Sequence, residues 1–330
     1  LRLSVLALLA VLLAACAPAV HPPGPRVTEP SFTDAAFTAA DGTELPARAW
    51  APGDGSPMAN VPKAVVLALH GFNDYSLFFD DPGDFLAQYG IHSFAYDQRG
   101  FGAAPDPGSW AGVSSYADDA RDALAALRKR FPATPLYLLG MSMGGAVAMV
   151  AAQRGLDGVD GVILVAPAVW GRATMPWYQR AALWLGAHSM PWLTLTGQGL
   201  GILPSDNIEM LVRLGQDPLV IKETRIGTIY GLVNLMDAAL AASPKLARPA
   251  LILYGERDQV IPKRPTRRML ANLPQGVRVA IYEGGYHMLL RDLPAITVWK
   301  DLAAWMADPG APLPSKADRR DAMKLLGEEQ

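Results

Sequence analysis

Short, largely apolar runs recur along the chain: Ala64 to Leu69, His92 to Tyr96, Leu136 to Leu139, Val162 to Ala166, Ala250 to Tyr254 and Val277 to Tyr282. Runs without polar alternation mark strands buried on both faces. Between them lie helical patterns. Ser115 to Arg130 is the clearest, with Ala123, Leu124, Leu127 and Phe131 on one face. Its acidic residues, Asp118 and Asp119, fall early and its basic residues, Arg128 to Arg130, fall last, as the helix dipole favours. Pro294 to Ala307 reads as the last core helix. Upstream, Phe32 to Thr38 and Glu44 to Ala51 alternate and join through Asp41-Gly42, a hairpin signal. Strands alternating with helices predict an α/β fold: a mostly parallel central sheet with helices on both faces.

Residues 168–247 break this rhythm. They show no convincing strand and are rich in tryptophan at the start, with Trp170, Trp177, Trp184 and Trp192. They read as a helical cap inserted before the strand Ala250 to Tyr254. The expected organisation is a core of residues 31–167 and 248–308, the cap at 168–247, and a charged, peripheral tail at 309–330.

The N-terminus has a different grammar. Arg2 precedes an apolar run from Leu3 to Ala15, broken only by Ser4 and ending Leu13-Ala14-Ala15-Cys16. That is a secretory signal too short to span a bilayer, which takes ~20 residues. Its end resembles a bacterial lipobox, in which the cysteine is lipidated and becomes the new N-terminus. Residues 1–16 are therefore expected to be a lipoprotein signal ending at Cys16. The proline-rich residues 17–30 read as an extended tether. Such a lipid anchor implies a bacterial cell-envelope location, on the periplasmic side of the outer membrane in a Gram-negative cell.

Composition narrows the functions. The chain has 330 residues, 18% of them charged, a formal net charge of −2 and one cysteine. These values exclude a mostly disordered chain and leave no basic footprint for nucleic acid. A lone cysteine forms no internal disulfide, and the histidines show no paired ligand spacing, so neither a metal nor an organic cofactor is expected.

The chemistry falls at strand ends. Leu136 to Leu139 runs into Gly140-Met141-Ser142-Met143-Gly144, a G-x-S-x-G between a strand and a helix. Such a turn holds a serine nucleophile in strained geometry at a helix N-terminus. Of the five histidines, only His287 follows both the serine and a later acid-bearing strand end. The acid candidate is Asp258 in Gly255-Glu256-Arg257-Asp258, with Glu256 and Glu283 as nearby alternatives. The order serine, acid, histidine is that of an α/β-hydrolase triad. An oxyanion needs two donors. The Met143 N–H is one candidate, and the Phe72 N–H, in the loop His70-Gly71-Phe72-Asn73-Asp74, is the other. His70 reads as a buttress of that loop. In the cap, Trp170, Met175, Trp177 and Trp184 are candidates for an acyl-chain channel.

Taken together, His70-Gly71, Asp97-Gln98-Arg99-Gly100-Phe101-Gly102, Met141-Ser142-Met143-Gly144-Gly145, Gly255-Glu256-Arg257-Asp258 and Tyr286-His287 resemble the monoacylglycerol lipase/lysophospholipase-like α/β hydrolases of the serine aminopeptidase S33-like group. The resemblance covers about residues 32 to 308, including a cap element at Asp217-Pro218-Leu219-Val220. It implies the α/β-hydrolase fold, a Ser–Asp–His triad, a two-amide oxyanion hole and hydrolysis of carboxylic esters through an acyl-enzyme. A lipid or small ester is the implied substrate. Where relatives often read H-G-x-G-E-H, this chain reads His70-Gly71-Phe72-Asn73-Asp74-Tyr75. Asp97 and Arg99 match a structural turn. Two alternatives stand beside the esterase reading. One is an aminopeptidase using Glu209, Glu223 or Asp237 to hold a substrate ammonium. The other is a non-catalytic envelope binding scaffold.

Overall fold

The computed structural model describes residues 18–53, 61–197, 199, 201–246 and 249–327. The run expected to be a signal, with Cys16, lies outside the described residues. Strands β1 (Ser31–Phe32), β2 (Ala36–Thr38), β3 (Glu44–Trp50), β4 (Ala64–Leu69), β5 (Ile91–Tyr96), β6 (Leu136–Met141), β7 (Gly161–Val165), β10 (Ala250–Gly255) and β11 (Arg278–Tyr282) form one sheet in the order β1-β2-β3-β5-β4-β6-β7-β10-β11. From β5 to β11 every neighbouring pair is parallel. The β1–β3 edge is antiparallel. The stretch expected as one strand, Phe32 to Thr38, is two strands that fold back on each other.

Strand β4 shows why the apolar runs are continuous. Val65, Leu67 and Leu69 join one core with helices α2 (Val113–Arg130) and α3 (Met143–Gln153). Val66 and Ala68 join the other with Val298, Leu302 and Trp305 of helix α8 (Ala295–Ala307). Each strand residue is thus buried on whichever face it points to, so no polar alternation survives. Helix α1 (Asp80–Gln88) packs beside α8, placing helices on both faces as expected.

Between β7 and β10 lie helices α4 (Trp177–Ser189), α5 (Ile208–Gln216) and α6 (Ile226–Ala242), and α7 (Lys263–Ala271) follows β10. This segment also holds β8 (Thr194–Thr196) and β9 (Glu223–Arg225), an antiparallel pair. The expectation of no strand there is corrected. Each strand is three residues of threonine-rich, mostly exposed sequence, too short for a periodicity to register. The segment is also divided in its packing. Helix α6 buries Val233, Leu235, Met236 and Ala239 in the main core, whereas α4 buries only Ala187. The apolar stretch around α6 is long enough to cross a membrane, yet more than half of it is inside the fold.

The described parts of the proline-rich segment and of the tail are more engaged than their composition suggests. The proline-rich segment runs along the body: the His21 N–H donates to Trp110 O at 2.8 Å, and Arg26 pairs with Asp122 at 2.8 Å. Prolines stiffen it, and a few side chains and amides hold it down. The tail is not peripheral either. Leu313, Ala317 and Leu326 are buried, and Ser315 bonds Asp301, whose carboxylate also accepts from the Tyr282 hydroxyl at 2.7 Å. The charges of the tail masked three apolar anchors.

Candidate active site

Ser142 sits between β6 and α3 with φ 52°. A non-glycine residue in this region carries strain of about 1–3 kcal/mol and persists only when its surroundings dictate it. Here they do. The Ser142 N–H donates to Val165 O at 2.9 Å, and its carbonyl accepts from Ala168 N at 2.9 Å. The flanking glycines are steric requirements. A Cβ on Gly144 would lie 2.2 Å from Leu69 O, and one on Gly140 would lie 2.3 Å from Gly144 O. The turn therefore closes only where β4, β6 and α3 meet without side chains between them.

Asp258 and His287 follow β10 and β11. One carboxylate oxygen of Asp258, Oδ1, accepts from the N–H groups of Val260 at 2.8 Å and Ile261 at 2.9 Å. Its other oxygen, Oδ2, is 2.8 Å from His287 Nδ1. An ionised carboxylate only accepts, so Nδ1 carries the proton and Nε2 is left as an acceptor. Both side chains are buried. The two alternative acids lie elsewhere: Glu256 pairs with Arg320, and Glu283 is exposed near the same guanidinium.

The histidine loop has supports that the sequence did not reveal. The Tyr286 N–H donates to Asp292 Oδ2 at 2.8 Å, and the Ser205 hydroxyl donates to Asp292 Oδ1 at 2.7 Å. Burial raises the Asp292 carboxyl above its ordinary range, while these bonds oppose the rise. The Met288 N–H donates to Pro204 O at 2.9 Å, tying the loop to the inserted segment. Only the pairing of loops distant in sequence makes Asp292 and Ser205 legible.

Ser142 and His287 line one cavity of about 430 Å³. Phe72 lines it beside Gly71, and Met143 lies behind it with its side chain in the core. Among the described residues, neither the Phe72 nor the Met143 N–H donates within the turns and loops. Met143 is the first residue of α3, where a helix leaves its N–H groups free. His70 behaves as a buttress. Its Nδ1 meets Gly71 O at 2.8 Å, and its Nε2 accepts from Gln98 N at 2.9 Å, which fixes the neutral ring. Burial accordingly pushes its pKa down.

Most of the cavity wall is apolar. Trp170, Met175, Leu232, Val233 and Met236 contribute to it. Trp177 and Trp184, expected beside them, do not line it. They project from α4 at 77% and 57% exposure. Helix α4 has apolar residues around its circumference, so the sequence offered no face to choose between. Trp170 precedes α4, on a loop held by the pairing of Arg172 with Asp237 of α6.

The inserted segment is locked to the loop after β4. Asp217 accepts from the Tyr75 hydroxyl at 2.7 Å, Ile221 N–H donates to Asn73 O at 3.0 Å, and Asn73 Nδ2 donates to Thr224 Oγ1 at 2.6 Å. The Asp97 and Arg99 turn is structural, as its sequence suggested. Arg99 pairs with Asp41 at 2.9 Å and Asp119 at 2.6 Å, while Asp97 accepts from the Ser76 and Ala103 amides. Asp119 is thus spent on a buried ion pair instead of on the helix dipole.

A serine on a strained strand–helix turn, with a histidine and an acid on later strand ends, defines the α/β-hydrolase class. The family model for serine aminopeptidase, S33, matches residues 60–294, and the chain belongs to that family. Rat (Rattus norvegicus) monoglyceride lipase is 27% identical over 280 residues, covering 81% of this chain and 88% of the lipase. Monoacylglycerol lipase of Mycolicibacterium smegmatis is 23% identical over 251 residues, covering 74% and 88%. A solved soluble variant of monoglyceride lipase from Saccharomyces cerevisiae, 23% identical, superposes with a TM-score of 0.67 over 87% of this chain and 98% of that one.

Proposed function

We propose that this protein is a serine carboxylic-ester hydrolase of the monoacylglycerol lipase or lysophospholipase-like kind. The observation that carries the reading is the convergence of Ser142 and the Asp258-held His287 on one largely apolar cavity. The curated relatives named monoglyceride lipase support it. In this reading His287 Nε2 takes the Ser142 proton as Oγ attacks the ester carbonyl. The Phe72 and Met143 amides hold the oxyanion. The alcohol leaves with the proton from His287, and water resolves the acyl-enzyme by the same route. Asp258 keeps the imidazole in its tautomer and stabilises the imidazolium. Trp170 and Met175 would face the acyl chain, under a cap formed by the segment between β7 and β10.

Ser142→Ala tests the proposal. Hydrolysis of monoacylglycerol and of short p-nitrophenyl esters is expected to vanish in the folded variant; retained hydrolysis contradicts the reading. An aminopeptidase would need an acidic group in the cavity for the substrate ammonium. Glu209 pairs with Arg213 on the surface, Glu223 accepts from Thr194, and Asp237 is held by Arg172. None of these three lines the cavity, and the carboxylate that does, Asp74, is already paired with Arg291, which favours the ester over the peptide.

Anchoring is a second part of the proposal and rests on sequence. The run ending at Cys16 supports lipidation there and a place on the bacterial envelope. Cys16→Ala is expected to move the protein from the detergent-requiring membrane fraction to a soluble or unprocessed form. Unchanged extraction contradicts lipidation.

A further inference from the structure

The turn that carries the Phe72 N–H is gripped from two sides. Its ends rest on the body of the fold. His70 Nε2 accepts from the Gln98 N–H at 2.9 Å before it, and the Ser76 N–H donates to Asp97 at 2.9 Å after it. Its apex, Asn73, rests on the inserted segment. Asn73 O accepts from the Ile221 N–H at 3.0 Å, and Asn73 Nδ2 donates to Thr224 Oγ1 at 2.6 Å. Thr224 is the middle residue of β9 and is buried.

Asparagine is a costly choice at this apex. Gly71 O accepts from the Asp74 N–H at 3.3 Å across the turn, and Asn73 takes φ 63°. A glycine, which relatives often carry here in H-G-x-G, reaches that conformation freely, whereas asparagine does so under strain. The side chain adds a second cost. Asn73 Oδ1 is buried without a donor among the described residues. Turned over, the amide would accept from the Thr224 hydroxyl and leave Nδ2 unmet instead, so one half goes unpaired in either setting. What asparagine adds over glycine is the bond to Thr224.

We propose that Asn73 is a positioning residue: through Thr224 it ties the oxyanion turn to the inserted segment, so that the Phe72 N–H is aligned with the developing charge while that segment is docked. This rests on the ester-hydrolase reading and on the role given there to Phe72, and deepens both. Asn73 follows Phe72 directly, and peptide planes are stiff, so a shift of the apex swings the donor before it. The swing falls beside the nucleophile, since a Cβ built on Gly71 would lie 3.4 Å from Ser142 Cβ. The oxyanion exists only on the way through the tetrahedral intermediate, so poor alignment slows turnover and leaves binding of the ester almost untouched.

The test uses the whole protein and a short p-nitrophenyl ester. Removing an oxyanion donor outright costs about 10²- to 10³-fold in kcat, so Asn73→Gly, which keeps the turn and frees its apex, is expected to cost about tenfold. KM should move less than about twofold. Thr224→Val should match it, and Thr224→Ser should restore kcat to within about twofold of wild type, because serine keeps the hydroxyl. Combining Asn73→Gly with Thr224→Val should lose no more than either alone, since both remove one and the same bond. A trifluoromethyl ketone that adds reversibly to Ser142 places its alkoxide where the oxyanion forms. Its inhibition constant should rise in step with the loss in kcat, while that of the matching alcohol, which forms no adduct, stays unchanged. Unaltered kcat in Asn73→Gly, a loss carried by KM, losses that multiply in the double variant, or equal weakening of ketone and alcohol overturns the proposal. So does a lower Tm with wild-type kcat, the mark of a merely structural contact. Asn73→Gly decides the matter if Thr224→Val does not fold. Hydrolysis by the wild-type protein that is lost in Ser142→Ala keeps the ester-hydrolase reading standing whatever Asn73 does, and no hydrolysis by the wild type sinks both.

Discussion

The carboxyl edge of the parallel sheet and the outer half of the inserted segment are built on opposite terms. At the sheet edge, backbone sterics dictate almost every position. Ser142 holds φ 52°, and Gly140 and Gly144 admit no Cβ. Asp258 receives two backbone amides before it reaches His287. On helix α4, by contrast, Trp177, Tyr178, Trp184 and Leu185 stand in solvent, and only Ala187 is buried. The first region is placed by constraints that act over a few residues. The second is placed by tertiary packing alone. Chemistry built on constraint tolerates little change, and an exposed helix tolerates much.

The largest effect belongs to the acid. Asp258→Asn should preserve the fold and the loop geometry but favour the wrong imidazole tautomer, lowering kcat by about 10⁴-fold. Steady-state hydrolysis of a p-nitrophenyl ester measures it. A loss under tenfold would remove Asp258 from the mechanism.

Next comes the backbone of the turn. In Gly144→Ala the new methyl meets the Leu69 carbonyl, an atom of a central strand that cannot swing aside. A destabilisation of about 3 kcal/mol is expected, or a fall in Tm of ~10 °C with loss of activity. An unshifted melting curve would show that the elbow has slack.

The two tryptophans then divide the inserted segment. Trp170→Ala opens the cavity wall, and KM for a long-chain ester should rise about tenfold, the scale of one large apolar contact. Trp177→Ala, on the exposed face, should change KM less than about twofold for a monomeric substrate and stability by less than ~0.5 kcal/mol. Equal effects would erase the distinction between wall and outer face.

The smallest effect is on acid stability. Burial pushes the His92 imidazole down to about 4, from an ordinary 6.5. The unfolded chain therefore binds the extra proton between these values. Stability from His92 is complete above pH 6.5 and is lost as pH falls toward about 4. His92→Phe, which keeps a ring against Phe94, should lose fewer degrees of Tm over that window. Melting curves from pH 7 to 4 that run parallel in the two proteins would contradict it.

How far the sequence could be read follows the same division. Doubly buried strands announce themselves as apolar runs, and the elbow, the acid and the histidine each sit directly after one. Asp258 is the natural acid after its strand, but Glu256 stays open beside it until the fold turns the Val260 and Ile261 amides back onto Asp258. Other features depend on pairings that no local pattern encodes. Arg291 meets Asp74 across 217 residues, and Ser205 meets Asp292 across 87. The short β8–β9 pair and the docked tail, carried by Leu313 and Leu326, escaped for the same reason. Trp177 and Trp184 were misplaced because apolar character says that a residue prefers burial, not that burial is available to it.

The claim on which the rest depends is that Ser142 is a nucleophile activated by His287. Labelling the whole protein with a fluorophosphonate and mapping the modified peptide by mass spectrometry tests it directly. One adduct is expected, on Ser142, and it disappears in folded His287→Ala. An adduct on another residue, or undiminished labelling of Ser142 without His287, would contradict it.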